Sequence, residues 1–404
     1  MTGELKSKRP DRRRQGRASK SHRAAPRAEG AFNASRFEIF VSVAPGLESA
    51  LVAEMSEIGF ASGRAETGGV TIEGSWPDVW RANLEIRGAA HVLARLDSFR
   101  VDHLADLDRL ARQMPWSKVL RRDVPVRVEA TCRRSRIYHS GAAAERFERA
   151  LREELGATVS READVVVKVR LDHDICTVAI DTSGEPLHRR GHKEAVAKAP
   201  MRETLAALFL RQCGYRGTEA VVDPMCGSGT FVIEAAEIAM GLAPGRSRHF
   251  AFEDLATFDG AAWERLKAER KPRDVSSLRF YGSDRDPGAI RMSRTNAERA
   301  GVASLTAFAP TPVDALTAPD GPPGLVIVNP PYGARIGEAR HLAAVYEALG
   351  RTLRSRFRGW RVGLVTTDDH LARATRLPFR PLGPPVLHGG LRIKLYQTGP
   401  LAGG

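Results

Sequence analysis

Ala220-Val221-Val222-Asp223-Pro224-Met225-Cys226-Gly227-Ser228-Gly229-Thr230 decides the fold. An apolar strand ends in an acid, a Gly-Ser-Gly turn follows, and an apolar helix runs from Phe231 to Met240. Gly227 and Gly229 allow a ligand to approach the backbone and admit conformations that other residues resist. Such a strand–turn–helix opens a doubly wound α/β sheet, where ligands bind beyond the carboxyl ends of the strands. A dinucleotide fingerprint needs a third small residue at position 232, and that residue is Val232. No Gly-Lys-Ser/Thr follows, so this is not a phosphate-binding loop either. An Asp–Gly-x-Gly turn suits a ligand with a charged amino-acid moiety, which points to S-adenosyl-L-methionine. Asp223, Pro224, Cys226, Gly227, Gly229 and Thr230 are therefore the candidate cofactor-binding residues. No base neighbours Cys226 in sequence, so it reads as a small filler and not a nucleophile.

Downstream, Leu278-Arg279-Phe280-Tyr281-Gly282-Ser283-Asp284 is a second strand ending in an acid, and such an acid accepts hydrogen bonds from ribose hydroxyls. Asp284 is the candidate, because Asp286-Pro287 has the form of a helix cap for 288–300. The spacing from the glycine turn exceeds the usual ~20 residues, so 241–277 form an insertion. Asp314, after Pro312-Val313, could meet an adenine amino group or be an ordinary loop acid.

The most specific signal is the buried strand Leu325-Val326-Ile327-Val328 followed by Asn329-Pro330-Pro331-Tyr332-Gly333. The prolines stiffen the turn and cannot donate to the sheet. An Asn oxygen and a Pro carbonyl can accept both hydrogens of an exocyclic amine and aim its lone pair at a methyl donor. Tyr332 offers a stacking face. Asn329, Pro330, Pro331 and Tyr332 are the candidate catalytic residues. A base inside a duplex cannot reach such a site, so the target must be flipped or unpaired.

Upstream, strands at 37–43, 70–72, 92–96, 124–131, 165–169 and 175–181 alternate with helices near 47–58, 78–84, 104–114 and 142–155, an α+β module. Arg189-Arg190-Gly191-His192-Lys193 reads as a basic hinge. Residues 1–36 hold 11 Lys/Arg against 3 Asp/Glu, with Phe32 their only aromatic. They bury too little apolar surface to offset ordering entropy and read as a disordered basic tail, a phosphate clamp or simply a solvated segment.

Composition bounds the answer. At ~150 residues per domain, 404 residues imply two or three domains. A net charge of +14, with Arg supplying 52 of 62 basic residues, points to nucleic acid, although a coding bias toward Arg and Ala would have the same effect. No stretch approaches the ~18 uncharged apolar residues of a membrane span. Four scattered cysteines imply neither a disulfide framework nor a metal site, and they fit a reducing compartment. The tail has no apolar signal region, and Glu4, Asp11 and Glu29 weigh against a transit peptide. A cytoplasmic location, no membrane partner, no metal and a monomeric state are expected.

The second half resembles the RNA guanine-N2 methyltransferase domain of the large-subunit rRNA methyltransferase L family. The resemblance rests on Asp181–Gly191, Ala199-Pro200-Met201-Arg202-Glu203, the turn at 223–230, Gly282-Ser283-Asp284, Asn329 to Gly333, the Trp263 region and Lys394-Leu395-Tyr396. Ala334 stands where Glu is common. The first domain is similar, more weakly, to the ferredoxin-like and THUMP module of that family, which implies RNA binding. The resemblance implies a Rossmann-like class I S-adenosylmethionine-dependent methyltransferase domain (189–404) preceded by a ferredoxin-like/THUMP RNA-binding module (37–188). Bifunctional members carry a second methyltransferase domain, and a single activity is expected of this chain. The expected reaction is methylation of guanosine N2 in structured RNA, with 23S rRNA ahead of tRNA. Adenine-N6 methylation and a non-catalytic RNA-binding assembly factor are the other readings.

Overall fold

The computed structural model describes residues 35–60, 63–192, 201–332 and 339–402. The tail to residue 34, Lys193 of the hinge, Ala199-Pro200, Gly333 and Ala334 lie outside them.

The first half is built from β1 (Phe37–Ser42), α1 (Glu48–Glu57), β2 (Arg64–Glu66), β3 (Gly69–Gly74), α2 (Trp76–Glu85), β4 (His91–Arg100), α3 (Leu104–Gln113), β5 (Val126–Arg133), α4 (Ser140–Ala150), β6 (Val165–Asp172) and β7 (Ile175–Asp181). They form one seven-stranded sheet, β2-β3-β1-β4-β7-β6-β5, antiparallel except for β5 beside β6. Alternation dictates its faces: Phe37, Ile39 and Val41 of β1 point into the core. α2 begins two residues before the expected Asp78. Ser75 caps it, and the Asp78 carboxylate accepts from the Ser75 backbone N–H at 2.8 Å. The helix expected to reach 155 runs as α4 only to Ala150, then widens into a π-helical turn over Leu151–Leu155 that Gly156 ends at φ +72°.

The second half comprises α5 (Glu203–Gln212), β8 (Val221–Asp223), α6 (Thr230–Met240), α7 (Gly260–Ala268), β9 (Phe280–Ser283), α8 (Pro287–Ala300), β10 (Thr306–Ala309), β11 (Leu325–Val328), α9 (Ala339–Arg356), β12 (Arg361–Thr366), α10 (Asp369–Ala374), β13 (Arg380–His388) and β14 (Leu391–Gln397). Its sheet runs β10-β9-β8-β11-β12-β14-β13. The first five strands are parallel and β14 is antiparallel to both neighbours. All four residues of β11 are buried, as a parallel strand covered on both faces requires. The chain leaves β8 toward β9 and β10 and returns to β11 on its other side. The switch point therefore lies between β8 and β11, where such sheets bind ligands.

The insertion joins the halves. Phe250, Phe252, Phe258 and Trp263 pack as one aromatic group, and Trp80 of α2 packs against Phe252 and Phe258. Backbone bonds run from Gly245 to Leu84, Phe252 to Thr182 and Ala256 to Val119. The stretch read as a basic hinge is otherwise over its described residues. Arg190 is buried, donating to the carbonyls of Leu187 and Arg87, and His192 is buried beside Glu237. Arg87 reaches Glu234 at 2.6 Å and Glu237 at 3.2 Å. Within the hinge, Arg190 and His192 face the buried carboxylates of α6, while Arg189 stays exposed beside Glu185.

Candidate active site

The glycine turn is held from the next strand. Gly227 (φ +53°) and Gly229 (φ +84°) take left-handed conformations that side chains resist. The Asp284 carboxylate accepts from the Gly227 N–H and the Asp286 N–H, both at 3.0 Å. Cys226 N–H donates to the Ser283 carbonyl at 2.9 Å, and Ser293 Oγ of α8 donates to the Gly227 carbonyl at 2.8 Å. A Cβ added at Gly227 would meet nothing within 4 Å, so the turn opens onto free space. Asp286 caps α8 through its bond from Gly288 N–H at 2.8 Å, as its Asp-Pro form predicts.

Asp223 ends β8 and is 2% exposed. Burial pushes its carboxyl up to about 8; the bond from Met225 N–H opposes this, and the negative charge of Asp284 adds to it. A cation brought beside it would favour the ionised carboxylate and offset that rise. Cys226 is buried with Sγ 3.8 Å from Ser293 Oγ, and burial holds its thiol well above the ordinary range. The Thr230 hydroxyl donates to the Met201 carbonyl at 3.4 Å.

At the end of β11, Asn329 Oδ1 is buried with no hydrogen-bond partner among the described residues. Such an orphan acceptor costs free energy unless a donor arrives. Tyr332 is half-buried against the core, and burial raises its phenol while a side-chain hydrogen bond from Asn329 works the other way. The buried Tyr346 of α9 anchors the proline turn: its hydroxyl lies 3.4 Å from the Pro331 carbonyl and 3.0 Å from Thr366 Oγ1.

A cleft of about 750 Å³ opens over these strand ends, its floor supplied by Pro224, Asp284, Asp314 and Pro331. Four of the residues singled out in the sequence thus meet in one cavity, each from the end of a different parallel strand. Asp223, Cys226, Gly227, Gly229, Thr230, Asn329, Pro330 and Tyr332 are not in its lining. Met225, Arg285, Pro312 and Val313 also line it, and α9 closes the far wall with His341, Leu342, Ala344, Val345 and Ala348. Sequence reasoning missed that wall, although Leu342, Tyr346, Leu349 and Leu353 repeat at helical spacing. Among the described residues no cluster of His, Cys, Asp or Glu could hold a metal ion. None of their helices is long and apolar enough to cross a membrane.

Residues 190–378 match the RMKL-like methyltransferase domain, residues 38–93 the RlmL ferredoxin-like domain and residues 101–181 the THUMP domain. The chain is 34% identical over 347 residues to ribosomal RNA large subunit methyltransferase K/L of Psychromonas ingrahamii; the match covers 82% of this chain and 46% of that protein. It therefore spans about half the length of that relative. SMU.472, solved as a complex with SAH, superposes with a TM-score of 0.81 at 25% identity, over 92% of this chain and 99% of that one. A predicted N6-adenine-specific DNA methylase from Listeria monocytogenes superposes with a TM-score of 0.80 at 27% identity, over 90% and 97%.

Proposed function

Because the chain belongs to the RMKL-like methyltransferases that carry a ferredoxin-like and a THUMP domain, we propose that it transfers a methyl group from S-adenosyl-L-methionine to the exocyclic N2 of a guanosine in structured RNA, 23S rRNA before tRNA. The observation that carries this reading is the pairing of the Asp–Gly-x-Gly turn with Asn-Pro-Pro-Tyr at neighbouring strand ends, β8 and β11, beside one cleft. The residues present fit the donor. The turn leaves open space above Gly227, and Asp284 keeps lone pairs beyond the two backbone bonds it accepts. Bound there, S-adenosyl-L-methionine supplies an electrophilic methyl group on a sulfonium.

The chain's own part is positional. Asn329 Oδ1 and the Pro330 carbonyl accept the two amine hydrogens, which turns the nitrogen lone pair toward the donor. Tyr346 holds the Pro331 carbonyl and so the pitch of the turn. Holding two reactants in near-attack geometry can supply ~7–11 kcal/mol of barrier lowering, and no strong general base has to be invoked. The THUMP-bearing half and the Arg-rich surface would grip phosphates and RNA shape.

The Listeria relative favours a second reading, methylation of adenine N6, since the same acceptor pair serves any exocyclic amine. Nucleoside mass spectrometry of rRNA and tRNA from a strain lacking the gene separates the two. Loss of N2-methylguanosine from 23S rRNA is expected. Its loss from tRNA would move the substrate, loss of N6-methyladenosine would install the second reading, and unchanged nucleosides would overturn both.

A further inference from the structure

Four large apolar side chains stand exposed among the described residues, and two of them, Leu387 (61%) and Leu391 (44%), share the tip of the β13–β14 hairpin. The tip is a two-residue turn, Gly389-Gly390, with φ of +56° and +82°. Positive φ at both positions marks the primed turn whose twist matches its strands, so the leucines are presented on a short, stiff support. Leu387 faces Arg392 across the ladder, and Arg392 has no acidic partner among the described residues. Residues 370–404 hold five Lys/Arg and no Asp or Glu, so this end of the chain is complementary to a polyanion.

Strand register gives the tip its position. Val328 pairs with Leu364, and Leu364 with Tyr396, so Asn329 stands level with Leu395. Leu391 lies four residues farther along, about 13 Å beyond the catalytic edge, and β14 lies two strand spacings, about 10 Å, to the side. The tip therefore stands beyond the strand-end edge that carries Asn329, roughly 16 Å from that residue. It is not a spare edge awaiting another strand. Pro381, Pro384, Pro385 and the register shift between Leu382 and Val386 protect β13 from pairing.

We propose that this tip is a wedge for the substrate RNA: Leu387 and Leu391 pack against the bases flanking the nucleotide that leaves its stack, and Arg392 takes the adjoining phosphate. The proposal rests on the RNA reading above. A flipped nucleotide swings out while its neighbours stay in the helix, outside the cleft mouth. Leucine is among the apolar residues that proteins insert between base steps.

The test uses the full chain and an in vitro transcript of 23S rRNA. Leu387→p-benzoylphenylalanine, irradiated on the transcript, should cross-link within three nucleotides of the position that acquires the tritiated methyl group. The double variant Leu387→Ala/Leu391→Ala should lose at least tenfold in methyl transfer, with S-adenosylhomocysteine affinity within twofold of wild type; Leu387→Met/Leu391→Met should restore most of the loss. Cross-links remote from the methylated nucleotide, or undiminished turnover of the alanine variant, would overturn the wedge while leaving the methyltransferase reading intact. A wild-type dimer that the alanine variant abolishes would assign the leucines to a protein contact and overturn it too. A wild-type chain that methylates no RNA would remove the RNA reading and the wedge together.

Discussion

Placing Asp223 against the cofactor, as proposed, would make cofactor binding a titration. Burial puts its carboxyl near 8 in the free protein. If the carboxylate receives the amino group of the cofactor, the productive pair is Asp223 ionised with the ammonium protonated, and an α-amino group also titrates near 8. The sign follows directly. Below pH 8 the buried acid holds its proton, and binding must expel it, so affinity falls with pH. At pH 6 about 1% of Asp223 is ionised and nearly all of the ammonium is charged; at pH 8 about half of each is in the right state. The product of the two fractions drops about 25-fold between pH 8 and pH 6, with an equally steep fall above 8 as the amine deprotonates. S-adenosylhomocysteine retains the amino group and permits no transfer, so calorimetry with it from pH 6 to pH 9 reads the effect cleanly. Two buffers of different ionisation enthalpy should report the release of nearly one proton per site near pH 6. Asp223→Asn cannot ionise, so its affinity should be weaker at pH 8 and flat between 6 and 7. A flat wild-type profile, or identical profiles for wild type and Asp223→Asn, would refute the placement of this acid against the cofactor.

Asn329→Ala removes one of the two acceptors proposed for the amine and should lower turnover by about 10²–10³-fold, as losing a positioned transition-state hydrogen bond does. S-adenosylhomocysteine and RNA affinities should hold, and tritium transfer that stays within fivefold of wild type would remove Asn329 from the site. Arg87→Leu takes from buried Glu234 its 2.6 Å partner, leaving Arg190 at 3.5 Å, while Glu237 keeps Arg246; it should cost about 3–5 kcal/mol in urea unfolding, against the near-zero cost expected if that cluster were solvated. Cys176, Cys213 and Cys226 are buried with thiols pushed up, while Cys132 is half-buried. A colorimetric thiol reagent at pH 8 should therefore find at most one rapid site in the native chain and four in denaturant. Rapid loss of Cys226 would show that the cleft exposes it.

Three of the second sheet's five parallel strands, β8, β9 and β11, were legible because each ends in a candidate functional residue, whereas β10 and β12 carry no such terminus and were not read. Val221-Val222-Asp223 and Leu325 to Val328 followed by Asn329 needed no partner to be read. Asp284 was legible for the same reason, and its grip on Gly227 N–H explains why an acid stands there even before a ribose is considered. Other elements carry no local signal. β2 is Arg-Ala-Glu, three residues with no apolar alternation, and it exists because β3 offers an edge. The glycine-tipped hairpin of β13 holds three prolines, which argue against a strand until the bulge and the edge position are known. Arg190 read as part of a basic hinge, and nothing in the sequence marked Arg87. Only tertiary structure shows that Glu234 and Glu237, on an otherwise apolar helix, are waiting for them.

That ion cluster bears on how the THUMP-bearing half can be coupled to the cleft in the other half of the chain. α6 starts at the glycine turn, with Gly229 at its N-terminal cap, and carries Glu234 and Glu237 five and eight residues later. At ~1.5 Å per residue the charged joint sits within about 12 Å of the cofactor turn, along one rigid rod. Burial opposes the charge on Arg87, but Glu234 and Glu237 outweigh it and keep the guanidinium protonated; Arg87, Arg246 and His192 in turn hold Glu237 ionised against its own burial. A joint of this kind has a defined geometry, because Glu234 Oε1 and both Glu237 oxygens have directed donors, and a displaced carboxylate would be left buried and unpaired. The insertion adds an aromatic seam on the same boundary. Relative motion of the halves would have to break both. If the first half binds RNA as proposed, the helix that shapes the cofactor turn also sets the angle at which that RNA meets the cleft.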